Sequence, residues 1–577
     1  MARYIHERFI LLFFLLSGVA GMGQKQTVRF ISPVHSSIYI SSTFGEIRPD
    51  HFHSGIDIKT NGSIGEKIYA IENGYISRIK VAVSGFGKAV YVRHPNGYTS
   101  VYCHLSRFTD DVAAFVREKQ YRQKSYVVDF PLPAGLFRVN KGQLIGFSGN
   151  SGNSFGPHLH FEIRETRKEA PVNPLLFSFP VEDTIAPKIY SLYLYPESRI
   201  TLINNHPGKC ILKTRLADVR RYVIPDTLVH VTGPFSLGLE TRDYINGSYS
   251  RCGIYSFKVL LDKKVFFYLT MDEFTYSETR YVNSCIDYKE KVKYDRNVIR
   301  TIIKPNNKLN IYRKVMNKGI VSFSDNRIHR IDFIISDIHG NTSCLHFYVV
   351  NTERPVTLTS STSQDNYLSR MYWDRDNYYS FDGFRLFIPR HALYDTLDFN
   401  MEIKPALPRS FSSVYLIQDP YTPLQKCYTV WITPDYFPQG YGSKLLIAEV
   451  SNPSNPKPYG GVWTGKVVKG NLSKFGRYTL LMDTVPPSVS PVFNPSLKDF
   501  TNLHFIRFII GDNLAGIDSY NGYIDGKWVL FEYEPKRNLI TYRFDKKRLL
   551  GKREHHLRLE VTDKRDNLTV YETDFFW

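Results

Sequence analysis

With 577 residues the chain is too long for one hydrophobic core, and its length implies three to five domains. Lys and Arg outnumber Asp and Glu 74 to 55, a formal net charge of +19 that favours anionic partners. No nucleic-acid module is recognisable, so nucleic acid is excluded as the expected partner, and the six cysteines contain no Cys-x-x-Cys pair to build a cysteine zinc site.

In chain order, residues 1–23 read as a secretory signal. Arg3 and Arg8 precede the apolar run Phe9 to Ala20, and small residues follow at Ala20, Gly21 and Gly23. That run is too short to span a bilayer comfortably, and no later stretch of about twenty apolar residues exists. The expected location is therefore outside the cytoplasm, in the periplasm or cell envelope or secreted.

A β-rich segment follows. Ile76 to Val83 and Lys88 to His94 are short strand-like runs punctuated by Gly85, Gly87, Pro95 and Gly97. Four sequence features within it bear on chemistry. His53 and Asp57 lie four apart, with Gly55 between them allowing a turn or a close backbone approach. Tyr102-Cys-His104 predicts, by strand alternation, Tyr102 and His104 on one face and Cys103 on the other. Asp110 to Gln120 has a helix start signal and helix-favouring composition, so a helical insertion is expected beside the site. His158-Leu-His160 points both imidazoles to one face and Leu159 to the core. Together these residues offer three ligands for zinc, which leaves a position open for water in catalytic sites, and two further imidazoles for proton transfer.

The motifs occur in a glycine-rich frame. Ser42-Thr-Phe44-Gly45 precedes His53, and Gly65-Glu-Lys-Ile-Tyr-Ala70, Lys141-Gly142-Gln143 and Ser148-Gly-Asn-Ser-Gly152 lie between the histidine motifs. Gly156-Pro157-His158-Leu159-His160-Phe161-Glu162 closes the series. With this order and spacing, residues 40 to 176 resemble the LytM/lysostaphin family of zinc endopeptidases, which cut peptide bonds in cell walls. The resemblance implies a lipoyl-like barrel-sandwich fold, zinc held by His53, Asp57 and His160, and an unligated catalytic pair, His104 and His158. It also implies peptidoglycan peptides as substrate. His51 does not fit the family's H-x-G-x-D pattern. Some relatives have lost ligands and only bind or activate other hydrolases, whereas this chain keeps every expected position.

Beyond residue 180 the chemistry fades and repetition begins. Asp183-Thr-Ile-Ala-Pro187 recurs as Asp483-Thr-Val-Pro-Pro487. Gly253 with Asp262 recurs as Gly516 with Asp525, and His329 with Asp337 to Asn341 recurs as His555 with Asp563 to Asn567. The expected fold class is all-β and multidomain. A signal at 1–23 precedes a peptidase domain at 24–180 and an enlarged immunoglobulin-like β-sandwich at 181–350. A β-rich spacer or sandwich occupies 351–482, and a second immunoglobulin-like sandwich occupies 483–577. Asp337 and Asp512-Asn513 suggest turn-forming side chains before calcium, since no EF-hand spacing is present. Four cysteines between residues 181 and 350 allow two disulfides or free buried thiols. The basic stretch from Lys289 to Lys318 would let the tail hold anionic envelope polymers or other envelope proteins, unless it is only a solvated strand face. Two rival functions are a catalytically silent envelope scaffold or hydrolase activator, and an adhesin-like structural protein.

Overall fold

The computed structural model describes residues 28–352, 367–494, 496 and 498–577. The expected signal segment lies outside the described residues. Among the described residues, no helix is long and apolar enough to cross a membrane.

The first region is built from short strands: β1 (Ile40–Ser42), β2 (Ile56–Lys59), β3 (Lys67–Tyr69), β4 (Gly74–Val81), β5 (Lys88–Arg93) and β6 (Tyr98–Leu105). After β7 (Arg107–Phe108) comes helix α1 (Asp110–Gln123), and then β8 (Val128–Pro131), β9 (Arg138–Val139), β10 (Leu144–Phe147), β11 (His158–Glu165) and β12 (Ala170–Val172). The main sheet runs β1-β2-β11-β6-β5-β4-β8, with β12 on β11 and β9 on β4; β3, β10 and β7 form a second, small sheet. Alternation sorts the central strands. Ile56, Ile58, Leu159 and Phe161 enter the core, so Asp57, His158 and His160 take the other face. Asp57 pairs directly with His160 across β2 and β11, which brings their side chains together. Gly55 is required by a close approach: a Cβ there would stand 2.3 Å from the Phe161 carbonyl oxygen.

One alternation-based expectation fails. Cys103, not Tyr102, pairs opposite His160 and so shares the face of the metal-type residues. Tyr102 is in the core, its hydroxyl accepting from the Ile71 amide. His104 nevertheless reaches the site, because its φ of +59° breaks the strand's alternation and turns the side chain out of the core. A non-glycine residue in that region costs about 1–3 kcal/mol and persists only where its surroundings enforce it.

Helix α1 forms where its composition suggested, but its outer side is covered by the end of the chain. Tyr121 meets Trp528 edge-on at 5.5 Å, and Glu118 accepts from Arg548 at 2.8 Å.

Three further cores follow the first region. The first module faces a sheet containing Lys188–Pro196, Phe235–Arg242 and Val298–Arg300 against a larger one centred on Ser256–Leu261, Ile328–Ser336 and Thr342–Asn351. Two five-stranded sheets between Asn377 and Met482 enclose the next core, and two four-stranded sheets from Ser488 to Phe576 the last. The repeat seen in the sequence is a repeat of hydrogen bonds. His329 pairs with Asp262 at 2.7 Å and His555 with Asp525 at 2.8 Å. Asn341 Nδ2 donates to the Asp183 carbonyl at 3.0 Å, as Asn567 Nδ2 does to that of Asp483 at 3.1 Å.

The first region and the first module share a core: Phe44, Ile47 and Phe52 pack among Leu192, Phe235 and Phe257. Five of the ten basic residues in the Lys289–Lys318 stretch are ion-paired. Lys291 pairs with Asp295, Arg296 with Glu290, Arg300 with Glu197, Lys304 with Asp395 and Arg313 with Asp272. All six cysteines are free thiols, so the expected disulfide alternative is not realised.

Candidate metal centre

Three side chains from β2, β11 and the turn before β2 converge. His53 Nε2 lies 3.1 Å from Asp57 Oδ1 and 3.0 Å from His160 Nδ1, and His160 Nδ1 lies 2.9 Å from Asp57 Oδ1. This triangle is close to the ~3.3 Å edge of a tetrahedron with zinc–ligand arms of ~2.0 Å. The outer nitrogen of each imidazole is already engaged: His53 Nδ1 donates to the Thr43 carbonyl at 2.8 Å and His160 Nε2 to Glu162 Oε1 at 3.1 Å. Both lone pairs therefore point inward, where one shared proton cannot satisfy three acceptors but a cation can. The donor set fits zinc. Burial opposes charge on His160, yet Asp57 and Glu162 carry its pKa up to about 9, so the pocket favours a cation of some kind.

The other two predicted imidazoles border this triangle. His104 Nδ1 donates to the Ser151 carbonyl at 2.7 Å and His158 Nδ1 to the Gly156 carbonyl at 2.9 Å, so each presents Nε2 to the site. Their rings are 4.8 Å apart, and His158 Nε2 stands 3.5 Å from Asp57 Oδ1. Burial, with His160 and His158 nearby, lowers the His104 pKa to about 3, and burial lowers that of His158 as well. Both are neutral at pH 7 and able to accept a proton. His51 is half-exposed against Asp50, outside the cluster.

Residue-type reasoning gave no role to the support around this centre. Glu162 is fully buried; Ser54 and Tyr276 hydroxyls donate to it, and Arg164 Nε donates at 2.7 Å. Burial would raise its carboxyl, but Arg164 and His160 hold it well below the usual range. Its place two residues after His160 on one strand was a usable signal. Tyr276, from the module beyond, had none. Glu162→Gln is expected to weaken zinc affinity about 10–100-fold by loosening His160. It should also lower the melting temperature, since Arg164 loses its buried partner. A zinc competition titration with a melting curve checks this; unchanged affinity would separate Glu162 from the metal.

The last module reaches the rim: Lys536 Nζ donates to the Asn150 carbonyl at 2.6 Å, in the loop that also positions His104, and Lys88 meets Glu532 at 3.5 Å. Part of that module's surface is thus spent on the first region.

The strand-rich domain thus sets a His-Asp-His group that could hold a metal ion beside two neutral imidazoles. Residues 51–121 and 137–174 match the model of peptidase family M23, and residues 368–483 match a Zu5-like domain. The chain is 32% identical over 149 residues to the DD-carboxypeptidase/endopeptidase Mpg of Neisseria meningitidis, covering 25% of this chain and 28% of that protein. It is 28% identical over 162 residues to the peptidoglycan DD-endopeptidase ShyA of Vibrio cholerae, covering 27% and 31%. It is also 32% identical over 125 residues to the murein hydrolase activator NlpD of Escherichia coli, covering 22% and 26%. The chain thus spans less than a third of the length of each of these relatives. Among solved structures, the catalytic domain of lysostaphin from Staphylococcus simulans is 23% identical, covering 24% of this chain and 91% of its own, with a TM-score of 0.19. The chain carries an M23 peptidase domain, homologous to LytM/lysostaphin-type peptidases and DD-endopeptidases, followed by several β-sheet modules.

Proposed function

We propose that the protein is an exported zinc metalloendopeptidase that hydrolyses peptide bonds of peptidoglycan, in cross-links or interpeptide bridges. The observation that carries this reading is the complete set: three inward-facing ligand atoms about 3 Å apart beside two neutral imidazoles. His53, Asp57 and His160 would hold the zinc, which when bound acidifies water and polarises the scissile carbonyl. His104 and His158, each fixed through Nδ1, would take a proton at Nε2 from the attacking water. Once protonated, the same Nε2–H can donate to the developing oxyanion or return the proton to the leaving amine. Phe86, stacked at 5.4 Å on His160, and the buried ligand faces limit water around these groups. The β-modules, which we read as immunoglobulin-like, would orient this domain on the envelope.

A second reading, a silent activator of another hydrolase, draws on the likeness to NlpD. The intact ligand set favours the enzyme. Digestion of purified peptidoglycan sacculi by the zinc-loaded full-length protein is expected to release muropeptides with new amino termini, identified by mass spectrometry. Release only when a partner hydrolase is added would overturn the enzyme reading in favour of the activator.

A further inference from the structure

Where the chain passes from the peptidase domain into the first module, Asp183 and Asp337 converge, and Asp243 lines a cavity beside Asp183 and close enough to feel both charges. Asp183 lies on the connecting segment, Asp243 follows the strand Phe235–Arg242, and Asp337 sits in the turn between Ile328–Ser336 and Thr342–Asn351. Asp243 and Asp337 are buried, 2% and 3% exposed, and on the partly exposed Asp183 the side chain itself is 1% exposed. Ligand atoms of Asp183, Asp337 and His339 lie within 4.8 Å of one another. Asp183, Asp243 and His339 line a shared cavity of about 10 Å³, roughly the room one small ion needs.

Two of the oxygens here have nothing to bind. Asp183 Oδ2 and Asp243 Oδ1 accept no hydrogen bond, and the nearest basic group to the former, His339 Nδ1, is 3.8 Å away. Asp337 is held in place by the Asn341 amide and side chain at 2.8 and 2.7 Å, which leaves lone pairs on both its oxygens. Burial, and then the charges of Asp337 and Asp183, push Asp243 up to about 9; burial chiefly pushes Asp183 up to about 6. The cluster must therefore hold protons or a cation at neutral pH.

The second copy of the repeat satisfies more of these oxygens with its own amides. Its counterpart cluster is Asp483, Asp512 and Asp563. There Asp483 Oδ2 receives the Ala515 amide at 2.8 Å, and Arg565 occupies the position of His339, its charge interacting with Asp563 and Asp483. Asp512 Oδ1 also lacks a partner, but the Leu514 and Gly516 amides donate to its other oxygen at 3.0 and 2.7 Å. The first copy has neither the amide nor the arginine.

We propose that Asp183, Asp243 and Asp337 form a second metal site, separate from the His53–Asp57–His160 centre, that takes an oxygen-ligating divalent cation such as calcium. Occupancy would tie three segments of the module together at the junction. Thr43 borders the same cavity, bonds Gly253 through its hydroxyl at 2.9 Å, and supplies the carbonyl that orients His53. The cation would therefore brace the wall behind one zinc ligand.

The test is calorimetric titration of calcium chloride, and separately manganese chloride, into zinc-loaded full-length protein, with melting curves in both conditions. Wild type should bind one further cation, Asp243→Asn and Asp183→Asn should each lose it while keeping their zinc, and Asp512→Asn should bind as wild type does. Melting should show a reversal of sign. Without added cation the Asn variants should melt above wild type, having lost a like charge, and with excess cation below it. Absence of cation binding by wild type, or binding unchanged in both Asn variants, overturns the proposal. Should one variant fail to fold by circular dichroism, the wild-type titration and the other variant decide.

Discussion

Alanine at His53, Asp57 or His160 is expected to reduce zinc from about one per chain toward none, and peptidoglycan hydrolysis with it. Each contributes one corner of a triangle whose edges are 2.9 to 3.1 Å, and with a corner gone the remaining two ligands no longer define a closed site. Asp57→Ala should do the most damage, since Asp57 also supplies the negative charge facing His53, His160 and His158. Elemental analysis of dialysed protein beside the sacculus assay checks this. Full zinc occupancy in all three variants would reject the ligand assignment.

His104→Ala and His158→Ala are expected to behave differently. Neither donates an atom to the triangle, so zinc should stay bound while hydrolysis falls about 10²–10⁴-fold in each. The loss should lie in kcat more than in KM, because the proton is moved only in the transition state. His104→Ala carries a second expectation. Its φ of +59° is unfavourable for alanine too, so the variant gains no relief from backbone strain while losing a buried ring and its bond to the Ser151 carbonyl, and its melting temperature should fall. Wild-type turnover in both variants would remove these imidazoles from the chemistry; zinc loss in both would make them ligands instead.

The candidate site was legible because its residues are written in local spacing. A histidine, a leucine and a histidine on one strand must alternate faces, and Gly55 marks the place where β11 comes too close for a Cβ. The repeat was legible for a similar reason: aspartates and asparagines that bond their own turns keep their offsets, and both copies show the same bonds. Alternation then misplaced Tyr102-Cys-His104, since one left-handed residue reverses faces without altering composition. For the charge run from Lys289 to Lys318, the sequence did not show the ion pairs made with residues distant along the chain, such as Glu197 and Asp395.

By itself the sequence determined the candidate ligand residues, their order, the β-rich character and the repeated landmarks, all of which follow from periodicity and turn chemistry within a few residues. Only the tertiary structure decided which nitrogen of each imidazole faces inward, through carbonyls of Thr43, Ser151 and Gly156 and the Glu162 carboxylate. It alone brought Tyr276 to Glu162 across 114 residues and Lys536 to Asn150 across 386. The physical reason is that a side chain's face is set by its own backbone, whereas its partner, tautomer and charge state are set by whatever the rest of the chain buries against it.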